Sequence, residues 1–353
     1  MTEENKRILY IVEDEKTAQF RYRVKNIIEA LNKNSNWKAE WVLSSNITNV
    51  KIDNVDLVVI LRQTGKNKEV LDFIESAKKC GTKVVFDLDD LIFDYKDLPS
   101  LMSGTGSKNV VYWVGYVLGI RKIAKKVDGF ITTNDFLAKK LRRSFSKTVK
   151  VIPNSLNDSQ NEIAKECLKD KEHDGFVIGY FSGSPTHARD LRLVESEIFR
   201  FLDIHKDAKL KIVGFMKPSA EMENRARNGQ VEILKFVDYL EQLKLTSKVD
   251  VSIAPLMINE FTNCKSELKF FESAIVETIT VASPIYTFKK AIFNGENGFL
   301  VKPGEWYDKL EYIYDNPKES QKIAKAARNY VLENYYGKKI AEEAEEAYKA
   351  FMV

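Results

Sequence analysis

Two lysines and a glutamate, Lys265, Lys269 and Glu272, are spaced four and then three residues apart within CKSELKFFE at 264–272. If this run opens a helix, that spacing puts all three on one face, with Leu268 and Phe271 on the apolar side. Two ammonium groups beside a helix N-terminus attract phosphate, and a carboxylate one or two turns further in accepts from a pair of sugar hydroxyls. A solvated amphipathic helix with an i,i+3 ion pair would show the same pattern.

Four other runs carry chemistry. In GYFSGSPTH at 179–187, small turn-forming residues link a strand to a helix, the general phosphate-cradle arrangement of α/β sheets. Gly183 and Ser184 would let a backbone approach closely, and Arg189 adds a charge in the first helical turn. Neither GxGxxG nor GxxxxGK[ST] occurs, so dehydrogenase and P-loop readings lose their main support. In VVFDLDDLIFD at 84–94, carboxylates bunch just past a hydrophobic strand, where open α/β sheets place ligands. Arg21 and Arg23 lie about 200° apart on an ideal helix, so one is expected to bind an anion and the other to be structural. Finally, Tyr112, Trp113 and Tyr116 precede Arg121, Lys122, Lys125 and Lys126. Residues 110–126 thus read either as a surface resting on anionic lipid or as a buried helix followed by a solvated turn.

The elements that must position these groups alternate. Apolar runs at 7–12, 40–43, 56–61, 83–88 and 129–132 are read as strands, with helical patterns at 17–31 and 67–79 between them. Near-continuous apolar strands such as LVVIL suit a parallel sheet covered on both faces. A polar stretch at 154–175 reads as a linker with one short helix, and the pattern then restarts. Strands are expected at 176–181, 210–213, 231–234, 249–254 and 280–282, and the end of the chain is helical and charged. The fold class is therefore α/β, with two doubly wound halves.

Composition narrows the function. The 353 residues include 55 bases and 51 acids, a formal net charge of +4 that gives no reason to expect a nucleic-acid partner. Three dispersed cysteines without a CxxC spacing fit neither a disulfide framework nor a zinc knuckle, so a reducing compartment is expected. The N-terminus lacks a signal-peptide core, and no run nears the ~18 apolar residues of a membrane span. The expected location is cytoplasmic, with the inner membrane face as a docking place for 110–126.

Together these runs resemble the retaining glycosyltransferases of family 4, which have the GT-B fold and in one branch build surface polysaccharides. KSELKFFESAIVETITVASP and NGENGFLV look like that family's nucleotide-binding helix, following strand and glycine loop. FVIGYFSGSPTHARDL looks like its phosphate loop, and VDVSIAPL like the strand before the binding helix. RYRV, FDLDDLIFD and the run from KKVDGFITTNDFLAKKL to VKVIPNSLN are similar to the polysaccharide branch. The resemblance implies two Rossmann-like domains facing across a cleft: 1–155 for the acceptor, 156–335 for the sugar-nucleotide donor, and a helix at 336–353 packing back on the first. It implies that Glu272 holds the ribose hydroxyls, that Lys265 and Lys269 lie near the diphosphate, and that Gly183, Ser184 and Arg189 complete the phosphate site. His187 is the candidate at the reacting sugar, and Arg21, Arg23, Asp89 and Asp90 are the acceptor-side candidates. The donor is a nucleotide diphosphate sugar, the acceptor a glycan or a lipid-linked glycan, and neither a cofactor nor a metal is required. Cys264 stands where such enzymes often carry a first glutamate. Two other readings remain: a catalytically weak GT-B subunit that binds glycan or stabilises a partner transferase, and a phosphatase of haloacid dehalogenase type with Asp87 as nucleophile, although Leu91 replaces the expected threonine or valine.

Overall fold

The computed structural model describes residues 5–171, 173–183 and 188–352. The chain forms two compact units, one of residues 1–157, 263–266 and 334–353, the other of 158–262 and 267–333.

The first unit holds six strands: β1 (Arg7–Val12), β2 (Lys38–Leu43), β3 (Leu57–Leu61), β4 (Lys83–Asp87), β5 (Gly129–Thr132) and β6 (Thr148–Val151). They pair in parallel in the order β2-β1-β3-β4-β5-β6. All five residues of β3, LVVIL, are buried, as expected for a strand covered on both faces. The order reverses between β1 and β3, so this unit's ligand position lies beyond the carboxyl ends of those strands.

The final helix, Lys338–Met352, belongs to this unit. Its apolar stripe of Ile340, Ala341, Ala344, Ala347, Tyr348 and Phe351 is buried with β1 and helix Asn26–Asn34. The Tyr348 and Tyr10 hydroxyls are hydrogen-bonded to each other. A Cβ on Gly129 would stand 2.4 Å from a ring carbon of Phe351, so β5 needs glycine for the helix to seat.

The second unit repeats the plan with β7 (Val177–Ser182), β8 (Lys209–Gly214), β9 (Val231–Leu234), β10 (Val251–Ala254), β11 (Ile279–Ala282) and β12 (Phe299–Leu300). Its parallel order, β12-β11-β10-β7-β8-β9, is that of the dinucleotide-binding doubly wound sheet, and it reverses between β7 and β10. Gly214 closes β8 at φ 109°, and a Cβ there would meet the Ser182 carbonyl oxygen at 2.0 Å. The ends of β7 and β8 therefore approach each other in a way only glycine permits.

Two readings of the sequence change here. Residues 154–157 are not a loose linker, because Asn154, Ser155, Leu156 and Asn157 are all buried. Asn26 donates to the Ser155 carbonyl at 2.6 Å and accepts from Asn157 at 2.9 Å, so polar partners more than 120 residues away hold the segment. Nor is the aromatic run at 110–120 a buried helix. Helix Val110–Lys126 is continuous, and in its first half Val111 is 83% and Tyr112 54% exposed. No helix among the described residues is long and apolar enough to cross a membrane.

Candidate functional site

In the second unit the chemistry gathers at the carboxyl end of β7, beside the reversal of strand order. Lys269 is the second residue of helix Leu268–Ala274. Its Nζ donates to the Phe181 carbonyl at 2.9 Å and lies 4.5 Å from the centre of the Tyr180 ring. Burial pushes this ammonium down to about 8, against the pull of Asp190 and Glu272. A cation short of water, beside the end of a central strand, is well placed to receive an anion. Glu272 follows one turn later on the same helix and accepts from Gln242 Nε2 at 3.4 Å.

Lys265 does not share that face. The helix begins at Leu268, and Lys265 lies on the preceding 263–266 segment, which belongs to the first unit. There its Nζ pairs with Asp90 Oδ2 at 2.9 Å. The three-residue stripe expected from the spacing is thus reduced to Lys269 and Glu272. Cys264 is also in the first unit, fully buried, with its thiol pushed up by that burial.

Gly183 is exposed just past β7, with no atom of the described residues within 4 Å of where a Cβ would stand. Arg189 is exposed on the short helix Ala188–Arg192. Ser184 and His187 lie outside the described residues. Asp190, unremarked in the sequence, is a further nearby charge, 9% exposed and acting on both Lys269 and Tyr180.

In the first unit the carboxylates past β4 are neutralised rather than bare. Arg23 is fully buried and grips Asp87 through Nε at 3.1 Å and 3.2 Å and through Nη2 at 2.9 Å. Burial raises the Asp87 carboxyl to about 6, and Arg23 opposes the rise. A carboxylate 1% exposed and clasped on both oxygens cannot attack a phosphorus in line, so the phosphatase reading fails. Arg23 is likewise fully buried, its charge paired with Asp87. A wide π turn over Arg21–Lys25 produces this separation. It turns Arg23 inward and leaves Arg21 half-exposed, its guanidinium 5.2 Å from the Tyr22 ring centre.

Asp89 and Asp90 share Arg62, at 3.2 Å and 3.8 Å, and Arg62 Nε donates to the Tyr116 hydroxyl at 3.3 Å. Burial works against the Asp90 charge, but Lys265 and Arg62 overcome it and hold the carboxyl below the usual range. Arg62 escaped the sequence reading, although a base directly after the buried run LVVIL marks the carboxyl end of a central strand.

Residues 177–316 match the family model described as Glycosyl transferases group 1. No curated protein matches the chain. Solved structures share the fold. HepE of Anabaena in complex with UDP has a TM-score of 0.65 at 13% identity, covering 98% of this chain and 100% of its own. Sucrose-phosphate synthase of Thermosynechococcus elongatus has a TM-score of 0.66 at 13% identity, covering 98% and 99%. An alpha-glucosyltransferase in complex with UDP and DNA has a TM-score of 0.69 at 10% identity, covering 97% and 99%. The two parallel six-stranded sheets with flanking helices are the GT-B architecture. The segment that supplies β7 to β12, Lys269 and Glu272 is thus the part of the chain that matches glycosyl transferases group 1.

Proposed function

We propose that the chain transfers a glycosyl group, with retention of configuration, from a nucleotide diphosphate sugar to a glycan or lipid-linked acceptor in the synthesis of a cell-surface polysaccharide or glycoconjugate. The observation that carries this reading is the half-buried Lys269 ammonium at the end of β7, with Glu272 one turn beyond it, inside the matched segment. Lys269 neutralises the charge that develops on the leaving diphosphate, and Arg189 and the Gly183–Ser184 backbone add donors. Glu272 accepts from the ribose hydroxyls. His187 acts at the reacting sugar, and Arg21, Asp89 and Asp90 serve the acceptor side, the two aspartates through Arg62. Lysine and arginine supply the positive charge, so the reaction needs no metal.

The uridine nucleotides bound to HepE, including UDP-glucose, favour a uridine diphosphate sugar as donor. A panel of nucleoside diphosphates and sugar nucleotides tests this by thermal shift. Ligand at about 100 times its dissociation constant should stabilise the fold by about 2.7 kcal/mol, which raises the melting temperature by about 5 °C. A panel in which no nucleoside diphosphate or sugar nucleotide shifts the transition would overturn the donor assignment.

The acceptor side is placed at the cytoplasmic face of an anionic membrane. Val111, Val114, Leu118, Lys122 and Lys125 follow one another at helical spacing along helix Val110–Lys126, and all five are exposed. An apolar half followed by a basic half suits insertion at a headgroup boundary. Flotation with phosphatidylserine vesicles should carry the protein, and Val111→Glu with Lys125→Glu should leave it at the bottom of the gradient. Equal flotation of both forms would refute the membrane contact.

A further inference from the structure

Helix Val110–Lys126 has two different sides in its first half, and only the outer one carries the membrane stripe. Tyr112, Trp113 and Tyr116 stand about 180° round the axis from Val111, Val114 and Leu118. They share the side of Val117, Ile120 and Ile123, which are buried further along. The helix sits close on the loop after β3. The Gly65 N–H donates to the Gly119 carbonyl at 2.9 Å, and a Cβ on Gly119 would stand 2.9 Å from Thr64 Cβ. The three rings form one cluster at the edge of that contact. Tyr112 meets Trp113 edge-on with ring centres 5.1 Å apart and lies near-parallel to Tyr116 at 6.0 Å, while Trp113 and Tyr116 meet edge-on at 5.7 Å. Tyr116 joins the cluster to charged ground, because its hydroxyl accepts from Arg62, which pairs with Asp89 and Asp90. Tyr112 is 54% exposed, and the Arg62, Asp89 and Asp90 side chains keep 19%, 16% and 14% of their surface, so a ligand can reach rings and charges together. The Trp113 indole N–H is shut off from solvent and has no hydrogen-bond partner among the described residues. A buried donor in that state favours a ligand that brings an acceptor.

We infer that Tyr112, Trp113 and Tyr116 form a platform for a pyranose ring of the acceptor, whose hydroxyls bind Arg62, Asp89 and Asp90. The C–H face of a pyranose packs on the negative face of an aromatic ring, while its hydroxyl edge needs donors and acceptors side by side. Arg62 supplies donors, the two aspartates supply acceptors, and a sugar oxygen accepts from Trp113 Nε1. An acyl chain would cover the rings but desolvate these charges without replacing their water, which favours a sugar over a lipid tail here. Every group named belongs to the first unit, so binding at the platform needs no donor. The inference rests on the acceptor half of the function proposed above and narrows it to a pyranose, held on the side of the helix away from the membrane stripe.

Saturation-transfer NMR on the full chain without nucleotide tests it, with the methyl β-pyranosides of glucose, galactose and N-acetylglucosamine as probes. At least one should receive saturation, most strongly at the C–H protons of one ring face. Tyr112→Ala, at an exposed ring whose loss leaves the fold intact, should weaken that binding about tenfold, and Trp113→Ala at least as much. Transfer undiminished in both variants would leave a glycan acceptor but overturn its place on these rings. No transfer to any probe, in a sample that binds UDP, would overturn the inference and leave the donor assignment standing. Pyranoside binding that depends on Tyr112 would support the platform even in a chain that bound no UDP, so the two readings fail separately. Loss of vesicle flotation in Tyr112→Ala, with no pyranoside signal in the wild type, would give the rings to lipid and overturn the inference.

Discussion

Replacing Lys269 with alanine is expected to weaken UDP or UDP-sugar binding by about 50-fold, with the fold intact. A charge-assisted hydrogen bond contributes about 1.5–3 kcal/mol, which spans roughly 10- to 150-fold in affinity. The loss should lie near the middle of that range, because burial lowers the Lys269 ammonium to about 8 and a diphosphate would relieve that strain. The pH dependence follows with a definite sign. Only the protonated lysine attracts the diphosphate, so wild-type affinity should be constant below pH 8. It should fall as pH rises through that value, by no more than tenfold per unit. Binding raises the lysine's proton affinity, so titrations at pH 9 in buffers of different ionisation enthalpy should show close to one proton taken up per donor, and almost none at pH 7. Lys269→Arg should flatten the profile, because a guanidinium stays charged throughout, yet bind less well than lysine because its planar fork does not fit the Phe181 carbonyl and the diphosphate together. An alanine variant that bound UDP as the wild type does would remove Lys269 from the site.

The largest effect on stability should come from the Arg23–Asp87 pair. Breaking a buried ion pair by removing one partner costs about 3–5 kcal/mol, because the other charge is left in a medium that cannot solvate it. Asp87→Asn strands Arg23, which has no exposure to water. Its melting transition should fall by about 10 °C, with aggregation on heating. Arg23→Met should behave differently with pH. Burial already raises the Asp87 carboxyl to about 6 in the fold, against an ordinary value near 3.8, so the folded state prefers the neutral acid. Without Arg23 that preference grows. Arg23→Met should therefore be most destabilised above pH 6 and recover as pH falls towards 4, whereas Asp87→Asn should stay unstable across that range. Parallel denaturant titrations at pH 5 and pH 7.5 decide this. Equal damage at both pH values in Arg23→Met would mean that Asp87 is not the group left exposed to the penalty.

These two residues show how far the sequence could be read. Strands with near-continuous apolar residues, such as β3 and β7, follow from local pattern and so were legible, whereas the return of the last helix through Ile340, Ala344 and Phe351 was expected only from the family resemblance. Lys269 and Glu272 were legible because three residues apart means one face wherever the helix starts. Lys265 was misplaced because the reading began the helix at Cys264. The segment that ends before Leu268 is held by Asn134, Asp90 and Asn154, between 112 and 175 residues away in the chain. No local propensity reports such partners. Arg21 and Arg23 were expected to differ, one binding an anion and the other structural, and which of them faces inward depends on a π turn that an ideal 3.6-residue periodicity does not contain. The Asp87–Asp90 run drew a phosphatase reading because a carboxylate cluster looks alike whether or not arginines lie against it, and both Arg23 and Arg62 come from other strand–helix units. The two-residue strand β12 is too short to leave a pattern.

The central claim is that the end of β7 in the second unit holds a sugar nucleotide through Lys269 and Glu272. Isothermal titration of UDP-glucose into the wild type, Lys269→Ala and Glu272→Ala at pH 7 tests it most directly, with the melting temperature of each protein measured alongside. The wild type should show saturable one-to-one binding, and both variants should bind more weakly at unchanged melting temperature. UDP-glucose affinity that neither substitution alters would contradict it.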